Sequence, residues 1–276
     1  MNSAGTARPP TAIRKVTAVL EALADQRRSI DIARVTGYPT STVHRILQEL
    51  VDLGWAREDG EHGYSLGPRL LAFAGRAPQE AAIVRAARVA LHQLNDHTGH
   101  AVHIGSRVGD EVIYIDKLEG HRSYHMRSRV GLIVPIHSTG IGKAILASYD
   151  DDEVRAILDR VGMPARTEHT ITDIDAFLTE LAATRRRGYA VDFEENELHT
   201  RCVAAPVHDH RGVPVAAISV SALAFDMDQA RMKALAPLVN QTGRDITAAL
   251  GGDGPPGGDQ VSSGFSAGPA ASPPST

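Results

Sequence analysis

The chain has 276 residues, which predicts two domains. Its hydrophobic content of 42% and its charged content of 22% exclude a disordered or collagen-like protein for most of the length. The net charge of −4 conceals a split, because residues 1–76 carry ten Lys and Arg against eight Asp and Glu while the remainder is acidic. A mildly basic first part remains compatible with DNA binding.

The sequence indicates a cytoplasmic protein with no membrane partner. Its apolar stretches fall far short of the ~18 residues that a transmembrane helix needs. Residues 1–10 lack the basic start and hydrophobic region of a secretory signal. The single cysteine, Cys202, cannot form an internal disulfide, which is typical of a reducing compartment.

Changes in composition divide the chain into five parts. We expect a flexible arm over 1–10 and a disordered tail over 251–276, since the tail is rich in Gly, Pro and Ser. Between them we expect a first folded domain over 11–75, a linker and dimerisation helix over 76–96, and a second folded domain over 97–250. The linker helix is predicted from apolar residues at helical spacing, namely Ile83, Ala87, Ala90, Leu91 and Leu94.

The first block is predicted to run helix, helix, helix, hairpin. The first helix has an apolar face formed by Ile13, Val16, Val19, Leu20 and Leu23. Ser29 is a candidate N-cap for a short second helix, and Gly37 supplies a turn after it. The third helix begins near Pro39 and Thr40, with a stripe expected to be buried: Val43, Ile46, Leu47, Leu50 and Leu53.

The outward positions of the third helix are hydrogen-bonding groups: Thr40, Ser41, Thr42, His44, Arg45 and Gln48. A helix-turn-helix presents such groups to base edges in the major groove. The segment Trp55–Leu66 follows as two short strands around Asp59-Gly60, where a wing would lie. We expect phosphate contacts from Arg14, Lys15 and Arg57. Many small helical bundles have a polar outer face, but the order of these elements favours DNA binding.

The second block predicts an α+β domain with a largely antiparallel sheet. Short β-branched runs indicate strands at Ala101–Ser106, Val112–Leu118, Val203–Val207 and Val215–Ser221. Helices are indicated at Lys143–Ala147, Asp151–Leu158 and Ile174–Arg187. The segment Ser138-Thr-Gly-Ile-Gly-Lys reads as a glycine-bearing loop that enters a helix, an arrangement suited to anions.

Two sets of motifs resemble the IclR family of bacterial transcriptional regulators. The first set matches the family's winged helix: Gly37-Tyr-Pro-Thr-Ser-Thr-Val-His-Arg-Ile-Leu, Leu53-Gly-Trp and Tyr64-Ser-Leu-Gly-Pro-Arg-Leu. The second set is similar to its effector-binding domain: Val130-Gly, Pro135-Ile-His-Ser-Thr-Gly-Ile-Gly-Lys-Ala, Arg187-Gly-Tyr, Glu194-Glu-Asn-Glu-Leu and Arg201-Cys-Val-Ala-Ala-Pro-Val. One departure is His199-Thr200, where many relatives have Gly-Val.

The resemblance implies a winged helix-turn-helix joined by a linker helix to a GAF-like ligand domain. It implies a homodimer, or a dimer of dimers, that binds operator DNA and represses a catabolic operon under the control of a small carboxylate metabolite. The family's ligand contacts fall on Met126, Val134, Gly140, Ile141, Asp192, Cys202, Ser219 and Ser221. Gly140 and Ile141 would offer backbone N–H groups to a carboxylate, while Asp192 and the serines would hold hydroxyl or carbonyl groups.

Two alternatives remain open at the level of sequence. Cys202 could be a nucleophile with His199 or His208 as its base, although a cysteine in an apolar run is more often a small buried hydrophobe. A metal sensor could use imidazole and thiol donors, namely His121, His125, His137, His199 and Cys202. Their spacing matches no zinc finger or ribbon. We therefore predict no catalytic residue, no metal and no cofactor.

Overall fold

A computed structural model of the chain describes residues 11–74, 78–121, 124 and 126–252. The chain divides into two compact units, one that ends at Ala81 and one that begins at Ala82. The expected arm and residues 253–276 of the expected tail lie outside the described residues, and so does His125.

The first unit follows the predicted order of helices and hairpin. Its elements are α1 (Ala12–Leu23), α2 (Ser29–Thr36), α3 (Thr40–Asp52), β1 (Ala56–Glu58), a 3-10 turn (Gly60–His62), β2 (Tyr64–Leu66) and α4 (Pro68–Ala74). The strands β1 and β2 pair antiparallel, as a wing requires. Helix α4 is an addition that the sequence pattern did not indicate.

The buried face of this unit is narrower than its hydrophobic pattern. Ile13 is 79% exposed and Leu53 is 53% exposed, so neither belongs to the core where we expected them. The apolar residues of α1 and α3 extend beyond the parts of these helices that pack against their neighbours. In α1 the buried residues are Val19, Ala22 and Leu23. Ser29 was also misplaced, because the N-cap of α2 is Arg28, which makes no side-chain capping bond.

The wing is fixed to the helices by specific hydrogen bonds. The amide of Gln48 on α3 donates to the Tyr64 hydroxyl over 3.0 Å, and the backbone N–H of Tyr64 donates to the Arg27 carbonyl. Gly63 adopts a φ of +89°, and a Cβ there would lie 2.2 Å from the Arg27 carbonyl oxygen. A glycine is therefore required at the base of the wing.

The second unit is built on one antiparallel sheet. Its elements are α5 (Pro78–Thr98), β3 (Ala101–Val108), β4 (Glu111–Leu118), β5 (Ile133–Val134), α6 (Gly140–Leu146), α7 (Asp151–Val161), α8 (Ile174–Arg187), β6 (Ala190–Phe193), β7 (Thr200–His208), β8 (Pro214–Leu223) and α9 (Gln229–Ala249). The strand order is β5-β4-β3-β8-β7-β6, and each recorded pair is antiparallel. The predicted α+β class is confirmed.

Each face of this sheet carries its own hydrophobic core. One core joins the sheet to α5 and α9 through residues such as Leu91, Ile218 and Val239. The other core joins it to α6, α7 and α8 through residues such as Ile145 and Phe177. Successive residues of β8 alternate between the two, because side chains along a strand point to opposite faces. Ser219 and Ser221 therefore lie on the same face as Ala217, toward α6.

Helix α5 corrects two of our expectations. It belongs to the second unit from Ala82 onward, so that unit begins before residue 97. Its apolar stripe, which we assigned to dimerisation, is buried in its own unit through Ile83, Ala87, Leu91 and Leu94. The prediction of a helix from this spacing was right. The apolar stripe packs against the sheet of its own unit, so it is not available to a second chain.

This burial predicts a clear difference between two positions on α5. Leu91→Ala should destabilise the protein by about 2–5 kcal/mol, because Leu91 is 2% exposed and its truncation leaves a cavity. Val89→Ala is the matched control, since Val89 is 68% exposed and its change should stay within about 0.5 kcal/mol. Urea unfolding of both variants measures this, and equal losses would contradict the assigned packing.

Candidate functional site: a recognition helix and a polar cavity

The N-terminal half of α3 presents the side chains that we predicted to read bases. Thr40, Ser41, His44 and Arg45 are exposed, and Thr42 is half-buried. The first turn of α3 carries no acidic residue, which suits an approach to phosphate. Gln48, another predicted outward position, instead bonds to the wing through Tyr64.

The predicted phosphate contacts lie on two elements of the first unit, α1 and β1. Arg14 on α1 and Arg57 on β1 are exposed, and Lys15 on α1 is half-buried. Lys15 and Arg45 line the same groove between α1 and α3, so Arg45 lies on the side of the recognition helix that faces α1. Both cations are therefore carried on one local surface of this unit.

The register of the sheet in the second unit brings distant residues into rows. Asp192 of β6 pairs with Cys202 of β7, which pairs with Ser221 of β8. In the next row on the same face, Ala204 pairs with Ser219, which pairs with His103 of β3. Two rows of small and polar side chains thus cross the sheet beneath the start of α6.

These rows form the floor of a cavity of about 90 Å³. All eight residues that the family resemblance suggested line it: Met126, Val134, Gly140, Ile141, Asp192, Cys202, Ser219 and Ser221. Drug-sized ligands occupy sites of about 300–1,000 Å³, so this cavity suits a smaller molecule.

Sequence reasoning missed several polar residues of the cavity wall. They are His103, Tyr114, Arg127, Ser128, Thr139, Asn196, Glu197 and Thr200. The available signal was a polar residue inside a predicted buried strand, as at His103 between Val102 and Ile104.

His103 is held in one orientation by its neighbours. Its Nε2 lies 2.7 Å from the Ser128 hydroxyl, its Nδ1 lies 3.4 Å from the Ser221 hydroxyl, and its ring lies 5.0 Å from that of Tyr114. Burial, assisted by the Lys117 cation, lowers the pKa of His103 to about 3. The imidazole is therefore neutral at physiological pH and offers one donor and one acceptor.

The start of α6 is packed tightly onto the sheet. A Cβ at Gly140 would lie 2.7 Å from the Cys202 sulfur, and the Gly140 N–H is itself directed at that sulfur. The Gly140 N–H, which we expected to donate to a carboxylate, is therefore engaged by Cys202. A larger residue here would first displace Cys202, and within the described residues the Gly142 N–H is taken by the Thr139 hydroxyl. Ile141 is left to offer its N–H.

A charged network lies behind the cavity. Lys143 of α6 is fully buried, and its Nζ donates to the Glu195 carboxylate and lies 3.9 Å from Glu180. Glu180 is also paired with Arg187. Burial, assisted by the neighbouring Glu195 carboxylate and opposed by Lys143, raises the pKa of Asp192 to about 7.

The loop between β6 and β7 closes one side of the cavity. His199, which replaces the glycine of many relatives, adopts a φ of +65°. Its backbone N–H donates to the Glu194 carboxylate, which also accepts two bonds from Arg201. The Glu194 and Glu195 carbonyls accept bonds from Thr167 and Thr170. The loop is therefore closed in this chain without the glycine.

The geometry argues against a nucleophilic Cys202, which is one of the alternatives that the sequence left open. Burial raises the pKa of the Cys202 thiol far above its ordinary value, and the Asp192 carboxyl raises it further, so the nucleophilic thiolate is disfavoured. Across the residues described, no group of three or more His, Cys, Asp and Glu side chains is arranged to hold a metal ion.

Among the helices of the described residues, none has the length and the apolar character that would allow it to cross a membrane.

Comparison with family models covers both units. The model of the IclR helix-turn-helix domain matches residues 12–60, and that of the bacterial transcriptional regulator IclR C-terminal domain matches residues 76–248. The chain belongs to the IclR family. It is a DNA-binding transcriptional regulator, and its curated relatives are regulators rather than enzymes.

Three similar proteins illustrate the relationship. The HTH-type transcriptional regulator KdgR of Escherichia coli is 34% identical over 87% of this chain and 93% of its own. The transcriptional repressor IclR of the same organism is 30% identical over 85% of this chain and 88% of its own. The structure of an IclR homologue complexed with 4-hydroxybenzoate, from Microbacterium hydrocarbonoxydans, has a TM-score of 0.72 over 87% of this chain and 99% of its own, at 23% identity. That likeness shows the shared fold.

In this IclR-family chain the thiol of Cys202 should react slowly with a disulfide reagent. Burial keeps the thiol protonated and covered, so at pH 8 the folded protein should react at least about a hundredfold more slowly than the chain unfolded in urea. Because Cys202 is the only cysteine, one absorbance trace per state suffices. A folded-state rate near the unfolded one would restore the nucleophile hypothesis.

Proposed function

We propose that the protein represses a catabolic operon and is released from it by a small carboxylate. In this proposal two copies of the chain bind a pseudo-palindromic operator through α3, and the carboxylate occupies the cavity between α6 and the sheet. The observation that carries it is the convergence of all eight expected ligand residues on one cavity. The cavity lies in a chain whose other unit is a DNA-binding domain.

The chemistry of the cavity supports a carboxylate with further oxygen groups. Ile141 offers a backbone N–H at the start of α6, and Arg127 places a cation on the wall. Ser219, Ser221 and the neutral His103 supply hydroxyl and imidazole groups on the floor. A related structure is complexed with 4-hydroxybenzoate, which is a small carboxylate of this kind.

Pairing of two chains follows from the size of one recognition helix. A single helix-turn-helix makes too few contacts for tight specific binding, so two must be held at a fixed separation. The stripe on α5 is already buried, and the contacts between chains therefore use other surfaces. A homodimer satisfies the requirement, and a dimer of dimers would repeat it.

The ligand acts through a difference in affinity between two states of the protein. A carboxylate shifts the operator equilibrium only if it binds the released state more tightly, and a coupling of about 1–3 kcal/mol is typical. A shift of this size changes operator affinity by about 5- to 150-fold.

We predict that Arg45 discriminates between operator and random DNA. A guanidinium that makes two bonds to guanine contributes about 1–3 kcal/mol of discrimination, so Arg45→Ala should reduce the ratio of the two affinities by that amount. Arg57→Ala is the control, since a phosphate contact weakens both affinities alike. The operator is obtained by selection from random duplexes, and titration should give two chains per site. An unchanged ratio for Arg45→Ala would refute the assignment.

We also predict that the two serines of β8 hold the effector. Ser219→Ala combined with Ser221→Ala should weaken effector binding by roughly 1–3 kcal/mol for each hydroxyl partner left unsatisfied. Ser106→Ala is the control, because Ser106 is a buried serine of β3 that bonds to the Val215 carbonyl away from the cavity. The measurement is operator affinity against the concentration of each acid in a carboxylate panel. Identical response curves for the double variant and wild type would place the ligand elsewhere.

A further inference from the structure

Two carboxyl groups line the cavity, and of these Asp192 is buried whereas Glu197 is exposed; among the described residues no contacting cation balances the charge of Asp192. It is 4% exposed, and its Oδ1 accepts the backbone N–H groups of Glu195 at 2.8 Å and Asn196 at 3.4 Å. The buried cation nearby, Lys143, donates to the Glu195 carboxylate. Lys143 and Glu195 therefore neutralise each other, and Asp192 has no such partner.

The groups that face Asp192 come from every element around it. Glu195 and Glu197 lie on the loop after β6, Lys143 on α6, and Cys202 on β7. Across the cavity lie Tyr114 on β4 and His103 on β3, with the exposed Arg127 at the wall. Burial raises the pKa of Tyr114 and Cys202 and lowers that of His103, so all three are uncharged near neutrality. Glu197 adds a further negative charge.

We propose that Asp192 enters the effector complex as a neutral carboxylic acid whose O–H donates a hydrogen bond to an oxygen of the bound carboxylate. This rests on the proposed function, and it reverses our expectation that Asp192 accepts from a hydroxyl group. Above neutrality, where free Asp192 loses its proton, binding of the anion takes up one proton from solvent. The site thereby prefers a carboxylate or carbonyl oxygen at Asp192 over an amine.

The physical reason is the cost of placing two anions in one small buried space. An ionised carboxyl group without a cation is strongly disfavoured by burial, and a second carboxylate beside it adds repulsion. The Asp192 pKa of about 7 places the exchange of this proton within the physiological range. With that pKa, the affinity for a carboxylate should fall about tenfold between pH 6 and pH 8.

The first test needs no effector. In protein labelled with ¹³C at the aspartate carboxyl groups, the signal that disappears in Asp192→Asn is assigned to Asp192. Its midpoint should lie near pH 7, whereas the signal lost in Asp110→Asn should have its midpoint below the ordinary aspartate range, because the hydrogen bond from Arg160 lowers the pKa of that carboxyl group. A midpoint for Asp192 below pH 5 would overturn the proposal.

Thermal unfolding supplies a second measurement on the whole chain. Below the ordinary aspartate pKa of 3.8 the carboxyl is protonated in both states. Between 3.8 and about 7 only the folded state holds the proton, so this contribution to stability is lost as the pH rises through that window. From pH 5 to pH 8 the melting temperature of Asp192→Asn should therefore rise relative to that of wild type. Parallel curves for Asp192→Asn and wild type would contradict the raised pKa.

The last test uses 4-hydroxybenzoate as the probe in calorimetry. At pH 8, in two buffers with different protonation heats, wild type should take up close to one proton, and its affinity should be about tenfold lower than at pH 6. Asp192→Asn should bind with no uptake and equal affinity at both values, since its amide donates permanently. Binding by wild type without uptake would refute the donor role. If Asp192 titrates near pH 7 but no carboxylate alters operator binding, the proposed function fails while the protonation of Asp192 stands.

Discussion

The second unit depends on how closely the start of α6 approaches the sheet and the segment before it. A Cβ at Gly142 would lie 2.0 Å from the Ile136 carbonyl oxygen, and one at Gly140 would lie 2.7 Å from the Cys202 sulfur. Only backbone fits at these two positions, so the helix begins almost in contact with β7. That approach leaves a small cavity rather than an open cleft. It also draws Lys143, the next residue of the helix, fully into the interior.

A fully buried lysine then dictates the charges around it. An ammonium group removed from water is stable only when it is paired and hydrogen-bonded, and Lys143 is paired with Glu195. Glu195 is placed by the loop after β6, whose backbone N–H groups bind Asp192 in turn. The close packing of Gly140 and Gly142 is therefore linked to the environment of Asp192 through Lys143 and Glu195. A change at Gly140 would disturb these charged contacts as well as the shape of the cavity.

The sequence predicted the elements that have strong local patterns. Helix α8 was predicted to the residue, and β3, β4, β7 and β8 were found with ends shifted by up to three residues. The strands β5 and β6 were missed because two and four residues carry too little alternation to be distinguished from a loop. Helix α9 was missed as well, and its pattern is interrupted by Pro237 inside the helix.

The residues of the cavity were predictable in a different way. Nothing in composition or spacing shows that Asp192, Cys202 and Ser221 share a row, because the row depends on strand order and register. The family resemblance supplied these positions, and it omitted His103, which the register places beside Ser219. A resemblance transfers the positions that relatives share. The neighbours that adjust a site to one ligand have to be read from the fold.

The loop at His199 is closed although its left-handed residue is not a glycine. A left-handed φ at a residue with a Cβ carries a cost that glycine avoids. Here the Glu194 carboxylate accepts the His199 N–H and is held by Arg201, and these bonds lower the pKa of Glu194. Arg201 in turn packs on the Phe193 ring at 3.7 Å. An ion pair thus accompanies the left-handed residue in this chain, and the next residue, Thr200, lies on the cavity wall. The bonds that close the loop therefore also bring a hydroxyl group to the site.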